Sequence, residues 1–139
     1  YHTPFEAYDE SEQHDKYPLY HYCERTRWHL HTQYNHAPVL RELDPEPYLR
    51  MNPVDAEARG IAEGDYVEAY NDRGHCVCKA KFDMGVRPGM VSSPKGWHRG
   101  AYVAGSYQEL TCDHLNLLHM NTSFDDTLVE VRKYEGEVR

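Results

Sequence analysis

The sequence predicts a mainly β fold, a closed or partly closed β-barrel of five or six short strands with one or two small helices. Several segments alternate apolar and polar residues with the period of a strand, and turn residues separate them at near-regular intervals. With 139 residues, 40% of them hydrophobic, the chain is large enough for one domain with a core and too short for two. We therefore expect a single barrel domain.

The amino-terminal third contains a strand followed by a loop of mixed character. Residues 1–16 are rich in acidic residues, Gln and His without periodicity, so we interpret them as a linker or tail and residues 17–139 as the domain. The first strand is predicted over Tyr17 to Cys23, because tyrosines favour a pleated surface. The loop at 24–38 is polar and also aromatic, and loops of this kind often carry function.

A short strand and a capped helix follow. PYLRM at 47–51 is typical of a strand. Asn52 is a suitable helix cap, and Pro53 suits the first helical position, where its missing N–H has no cost. Gly60 is expected to end the helix.

The helix at 53–59 is expected to close one end of the barrel. Its apolar face would consist of Val54, Ala58 and Ile61. Asp55 and Arg59 are four residues apart, so we expect them to pair on the surface.

The remaining elements are a hairpin and a closing strand. DYVEAY at 65–70 and HCVCKAKF at 75–82 alternate as strands, and the turn between them places Gly74 where a positive φ is tolerated. Residues 86–92 begin with a Pro-Gly turn that leads into another strand. Residues 93–126 are predicted to be mostly loop, with a helical stretch near Cys112 to Leu118. TLVEVRK at 127–133 is the closing strand, paired inside the barrel.

Composition and charge argue against several functional classes. The net charge is −8, so there is no basic stripe to meet a nucleic-acid backbone. No run approaches the roughly 20 apolar residues that a transmembrane helix needs. The four cysteines fit neither a zinc nor an iron–sulfur spacing, and we interpret them as free thiols.

Four motifs in order carry a family resemblance. NPVDAEARGIAEGDYVEAYNDRG resembles the hallmark of the C-terminal, cofactor-binding domain in the dimethyl-sulfoxide-reductase family of molybdenum and tungsten oxidoreductases. YPLYHYCERTRWHLHTQYN is similar to that family's strand followed by a loop with Arg and H-x-Q. VRPGMV with GWH, and SYQELTCD with TLVEV, resemble its later elements. The resemblance covers about residues 17–134.

The resemblance implies a double-psi-like, six-stranded β-barrel that closes over molybdopterin guanine dinucleotide carrying molybdenum or tungsten. The metal's protein ligand and any iron–sulfur cluster would belong to other domains, so this chain is expected to supply no catalytic residue and no metal ligand. Its partners would be the remaining domains of the same catalytic subunit and an iron–sulfur electron-transfer subunit. The isolated domain is expected to be inactive, and the motifs specify neither substrate nor compartment.

The residues expected to contact the cofactor lie mainly in the first loop. A pterin edge presents donors and acceptors, and the dinucleotide tail carries phosphates, so side chains with paired polar groups and planar cations suit it. Arg27 offers a rigid fork, Gln33 both donates and accepts, and Gln108 stands where the family has Asn. The two tryptophans could stack on the cofactor or pack in the barrel. The expected set is Thr26, Arg27, Trp28, His29, His31, Thr32, Gln33, Trp97 and Gln108.

A stand-alone binding module is the alternative. His29 and His31 form an H-x-H pair, and in a cupin-like barrel such a pair binds a metal with a Glu four or five residues later. Here the next Glu is Glu42, and no Gly-rich approach precedes the pair. A structural interaction domain is a third option, but it explains none of the polar groups in the loop.

Overall fold

The computed structural model describes residues 6, 12–115, 120–122 and 125–138. Within these ranges the chain forms seven strands and three short helices, joined by loops that include two 3₁₀ turns at Arg99–Ala101 and Tyr107–Glu109. In chain order the elements are α1 (Glu12–Lys16), β1 (Leu19–Glu24), α2 (Pro38–Leu43), β2 (Tyr48–Met51), α3 (Pro53–Glu57), β3 (Tyr66–Tyr70), β4 (His75–Phe82), β5 (Met90–Pro94), β6 (Ala104–Gly105) and β7 (Thr127–Lys133).

Six of the strands form a closed barrel. The sheet runs in the order β2-β5-β1-β7-β3-β4, and a further parallel pairing of β2 with β4 closes the ring. β1 and β5 are also parallel, whereas the other neighbours in the ring are antiparallel. The short strand β6 is a seventh strand, which pairs antiparallel with β4 at Cys76 and Val77. The six-stranded, mainly β barrel is thus confirmed, with β7 paired on both sides inside it.

The core is built from alternate residues of the strands, since successive side chains of a strand point to opposite faces. In β2, Leu49 and Met51 are fully buried, whereas Tyr48 and Arg50 face outward. All four cysteines are free, and two of them lie in this core. The strand residues of the core are Leu19, Leu49, Met51, Val67, Ala69, Cys76, Cys78, Ala80, Val91, Val129 and Val131.

The helix α3 begins as predicted but buries a different face. The Asn52 side chain accepts a hydrogen bond from the Val54 amide at 3.0 Å, which confirms the cap. Ile61 is buried as expected, but Val54 and Ala58 are exposed, so the predicted apolar face is wrong at these two positions. The helix has only five residues, and its inward side is Ala56.

The predicted pairing of the Asp55 and Arg59 side chains is also wrong. Because the helix ends at Glu57, Arg59 lies beyond it and reaches β7, where its Nε donates to Glu130 Oε1 at 2.7 Å. The Asp55 carboxylate instead accepts from the Gly89 amide at 2.8 Å. Both long-range contacts fasten the helix to the barrel.

The hairpin turn forms where it was predicted, but its glycine serves another purpose. The Asn71 amide donates to the Gly74 carbonyl at 3.0 Å. Gly74 does not have the positive φ that the turn sequence suggested. A Cβ there would lie 2.8 Å from the Cβ of Glu109, so close packing explains the glycine.

Three segments differ from the sequence-based expectation or extend it. The helix α2 was not predicted, and 112–115, the described part of the expected Cys112–Leu118 helix, is not helical; 116–119 lie outside the described residues. In the amino-terminal region, buried Glu6 accepts two hydrogen bonds from Arg73 and one from the Leu128 amide at 2.6 Å. This residue is therefore fastened to the barrel.

Candidate functional site

A polar cleft of about 300 Å³ opens where the chain leaves β1. The segment 25–28 forms one wall, the end of α2 another, and the outer face of β2 and β4 the floor. We call this the main cleft. Its lining residues are Glu24, Arg25, Thr26, Arg27, Trp28, Leu43, Asp44, Tyr48, Arg50 and Lys81.

The electrostatics of the main cleft favour an anion. Four cationic side chains and two carboxylates line it. Glu24 is already engaged: it accepts from the Tyr48 hydroxyl at 2.9 Å and the Ser92 hydroxyl at 3.0 Å, and it pairs with Arg50 at 3.1 Å. Burial, and secondarily the charge on Glu24, raise the pKa of Tyr48 to about 12, so this phenol stays protonated and donates. The remaining cations thus leave the cleft with positive potential.

The loop residues Arg27 and Trp28 stand together at the wall of the main cleft. The Arg27 guanidinium lies over the Trp28 ring, 5.3 Å from its centroid. This is a cation–π contact, and it leaves the guanidinium N–H groups available as donors. Thr26 is beside them, and its buried hydroxyl has no hydrogen-bond partner among the described residues.

His29 turns away from the main cleft into the protein. Its side chain is fully buried, and its ring packs edge-on against Trp97 at 4.7 Å between centroids. Its Nε2 lies 3.5 Å from Asp44 Oδ2, which is too long for a good hydrogen bond. Burial raises the pKa of Asp44. The His29 and Asp44 side chains are therefore neighbours, but the buried polar atoms of both lack a good hydrogen bond among the described residues.

The turn that follows presents its side chains to solvent. The Gln33 amide donates to the Leu30 carbonyl at 3.0 Å, and His31 has a φ of 55°. His31, Thr32 and Gln33 are all exposed. A smaller cleft of about 110 Å³ lies between this turn and Lys95, and His31 is in its wall.

Trp97 and Gln108, the two expected residues that lie later in the chain, are placed differently from the loop residues. Trp97 is only 4% exposed, packed between His29 and Arg41, whose guanidinium lies 5.2 Å from the indole centroid. Gln108 is exposed on the 3₁₀ turn Tyr107–Glu109 and lines neither cleft. The structure thus brings Thr26, Arg27 and Trp28 into the main cleft, and it leaves Trp97 and Gln108 outside it.

Unsatisfied buried polar atoms concentrate around these loops. Folded proteins pair nearly all buried polar groups, so each exception points to a missing partner. Nine buried side-chain nitrogen or oxygen atoms in the described residues lack one, and only two of these lie elsewhere, on His21 and Tyr102. The other seven belong to Thr26, His29, Asn35, Asp44, Arg50 and Trp97. Three of these residues, Thr26, Asp44 and Arg50, line the main cleft, where a ligand with both donors and acceptors fits.

Sequence reasoning missed most of the main cleft, since only Thr26, Arg27 and Trp28 of its lining residues were expected. Arg25, Asp44, Tyr48, Arg50 and Lys81 were not among the expected residues. The alternation in PYLRM could have shown that Tyr48 and Arg50 share the outer face of a strand. The position of Lys81 beside Arg50 depends on the parallel register of β2 with β4, which no local pattern encodes.

The described part of the chain holds no cluster of three or more His, Cys, Asp or Glu side chains arranged for a metal ion. His29 and His31 both line the smaller cleft, but the His29 ring is buried against Trp97 whereas His31 is exposed on the turn. No helix among the described residues has the length and apolar character to cross a membrane.

Comparison with known proteins gives a consistent family. Residues 19–128 match the family described as "Molydopterin dinucleotide binding domain". The putative catalytic subunit of a dimethyl sulfoxide reductase from Halobacterium salinarum is 37% identical over 123 residues, covering 88% of this chain and 15% of the relative. The pyrogallol hydroxytransferase large subunit of Pelobacter acidigallici is 32% identical over 142 residues, covering 88% of this chain and 16% of the relative. The chain thus spans about one sixth of the relatives' length.

The fold also has a counterpart among solved structures. Acetylene hydratase from Pelobacter acetylenicus superimposes with a TM-score of 0.82 and 18% identity, covering 96% of this chain and 21% of that protein. At this identity the likeness concerns the barrel alone.

Proposed function

Because the chain belongs to the Molydopterin dinucleotide binding domain family, we propose that it forms the C-terminal, pterin-binding part of the catalytic subunit of a molybdenum or tungsten oxidoreductase. The observation that supports this most is that four cations line the main cleft together with buried polar atoms of Thr26, Asp44 and Arg50 that have no partner among the described residues. A pterin dinucleotide carries anionic phosphates and a heterocycle edge with donors and acceptors. The cleft offers complementary groups for both.

The side chains of the main cleft are suited to different contacts with the ligand. Arg27, whose guanidinium lies over Trp28, is suited to a bidentate contact with a phosphate or a ring carbonyl. Lys81 lies 4.6 Å from the Tyr48 ring centroid and adds a point charge on the cleft floor. Arg50 retains a buried Nε without a partner although its other nitrogens pair with Glu24 and Asp83. These groups bind and orient the ligand; they do not take part in bond making.

The loop supplies the neutral contacts. The exposed turn places His31, Thr32 and Gln33 where donor and acceptor groups can reach a heterocycle edge. The unpartnered hydroxyl of Thr26 is the buried counterpart in the main cleft. When bound, the cofactor supplies the redox chemistry of its metal centre. This chain would hold the pterin and exclude water from one side of it.

The family match favours this function over the stand-alone, cupin-like module, because the match runs through the barrel from β1 to the start of β7. The catalysed reaction, its substrate and its partners belong to the whole protein. We propose that the remaining domains of the subunit cover the main cleft, and that electrons pass through an iron–sulfur subunit. The named relatives act on different substrates, so the substrate stays open.

Arg27→Ala in the full-length protein tests the assignment. Losing a charge-assisted contact costs about 2 kcal/mol, which corresponds to roughly thirtyfold weaker cofactor binding. We expect a lower content of pterin and metal per purified subunit, with an unchanged melting temperature of the cofactor-free protein. Arg27→Lys should restore little, since an ammonium keeps the charge but lacks the planar fork.

Arg132→Ala is the matched control. Arg132 lies on β7, outside the main cleft, and its exposed guanidinium pairs with Glu68. Its loss should leave cofactor content unchanged. Full cofactor retention in Arg27→Ala would show that the main cleft is not the pterin site.

A further inference from the structure

The loop that contains the proposed pterin contacts packs against a second segment, residues 94–98. The Lys95 amide donates to the Glu24 carbonyl at 2.9 Å, which extends the β1–β5 pairing past the end of the sheet. Beyond that point the His29 ring packs on Trp97 at 4.7 Å. The two segments therefore meet both at the sheet and beside the clefts.

Further along the loop, contacts with the 94–98 segment continue. The rings of His36 and His98 stack with centroids 5.6 Å apart. The Asn35 side-chain amide donates to the Gly96 carbonyl. Asn35 is only 2% exposed and lines neither cleft, although its neighbours Tyr34 and His36 are exposed. Asn35 thus points inward onto the second segment, whereas Tyr34 and His36 beside it face solvent.

At Gly96 the backbone of the 94–98 segment lies directly against the turn. It has a φ of 93°, and a Cβ on it would lie 1.9 Å from the carbonyl oxygen of His31. No larger residue fits there unless the 29–34 turn moves. Glycine therefore lets the 94–98 segment support the turn directly.

The supported turn is conformationally strained. His31 and Tyr34 have φ values of 55° and 71°, in the left-handed region that non-glycine residues seldom adopt. Such conformations persist only where the surroundings determine them. Asn35 immediately follows the strained turn, and Gly96 lies against its middle, so these two residues are placed to determine it.

We propose that Asn35 and Gly96 are positioning residues: they hold the His31–Gln33 turn in the conformation that binds the pterin, without touching the cofactor themselves. This inference rests on the proposed function. It goes beyond that function because it predicts that two residues outside both clefts affect how tightly the cofactor is bound. Pre-organising a loop improves binding because the loop does not have to be ordered by the ligand.

The test uses Asn35→Ala in the full-length holoprotein with two readouts. The first is the rate of pterin release, followed by fluorescence; loss of the buried hydrogen bond should speed release about tenfold. The second is hydrogen exchange of the Gln33 amide, which donates to Leu30 within the turn. Its exchange should accelerate while the amides of β1 keep their protection.

Gly105→Ala is the control for general destabilisation. Gly105 lies in β6 with a φ of 61°, and a Cβ there would be 2.0 Å from the His75 carbonyl oxygen. This variant should lower the melting temperature without selectively opening the turn. If Asn35→Ala fails to fold, Asn35→Ser, which keeps a small polar group at the position, is measured in the same way.

Each outcome decides the proposal. Faster release together with selective exchange of the turn supports it. Release at the wild-type rate, or acceleration that only matches Gly105→Ala at equal loss of melting temperature, overturns it. If Arg27→Ala loses cofactor while the Asn35 variants keep it, the proposed function stands and only the positioning role fails; if Arg27→Ala keeps its cofactor, the proposed function itself fails.

Discussion

Acidification should weaken this fold through one histidine of the barrel. The His21 side chain is fully buried on β1, where its Nε2 pairs with the Ser93 hydroxyl and its Nδ1 has no partner among the described residues. Burial lowers the pKa of His21 from its ordinary 6.5 to about 4, and the nearby charge of Asp125 opposes this only partly. The folded protein therefore holds this imidazole neutral.

The sign and size of the effect follow from linkage. Because the folded pKa is the lower one, stability from His21 is fully present above pH 6.5 and is lost as the pH falls toward 4. Between pH 7 and pH 5 the unfolded chain takes up the proton while the folded chain does not. With these two pKa values the loss is about 2 kcal/mol at pH 5, and it approaches about 3.4 kcal/mol below both.

Urea unfolding of the protein and of His21→Gln at pH 5, 6, 7 and 8 measures this loss. The variant has no titrating group at position 21, so its free energy of unfolding should fall between pH 7 and pH 5 by about 2 kcal/mol less than that of the wild type. His114→Gln, which removes an exposed histidine, should keep the wild-type slope. Parallel pH profiles for the wild type and His21→Gln would refute the reasoning.

Two further contacts give stability predictions that the same unfolding assay can check. Asn52→Ala removes both the helix cap and a 2.7 Å bond to the Val86 carbonyl, so it should cost about 2 kcal/mol at neutral pH; a loss under about 0.5 kcal/mol would contradict this. Glu6→Ala removes the acceptor of the Leu128 amide and of the two terminal guanidinium nitrogens of Arg73, whose Nε still donates to the Leu110 carbonyl, so it should cost about 2–3 kcal/mol. An unchanged midpoint would show that Glu6 is not fastened to the barrel in solution.

Much of the barrel could be predicted because its signals are local. The hairpin 65–82 and the strand 127–133 alternate apolar and polar residues, and a two-residue period needs no tertiary information to detect. The Asn-Pro start of α3 is similarly local, and the structure confirms it. The face that this helix buries was not predictable in the same way, because it depends on how the short helix meets the barrel.

Only part of the candidate site could be predicted from the sequence. The loop residues Thr26, Arg27 and Trp28 stood out because core packing does not explain their types, and the structure places them in one cleft. Arg50 and Lys81 share that cleft only through a parallel pairing of strands that are about thirty residues apart in sequence. A register between strands that are distant in the chain produces no periodic pattern in the sequence. The cofactor contacts themselves stay a prediction.

An experimental structure of the full-length protein with its cofactor tests the central claim most directly. We predict that the pterin dinucleotide lies against the main cleft, with the Arg27 guanidinium within about 3 Å of a phosphate or ring oxygen. The His31–Gln33 turn should face the heterocycle. A cofactor bound elsewhere, with the main cleft filled by side chains of another domain, would contradict the account.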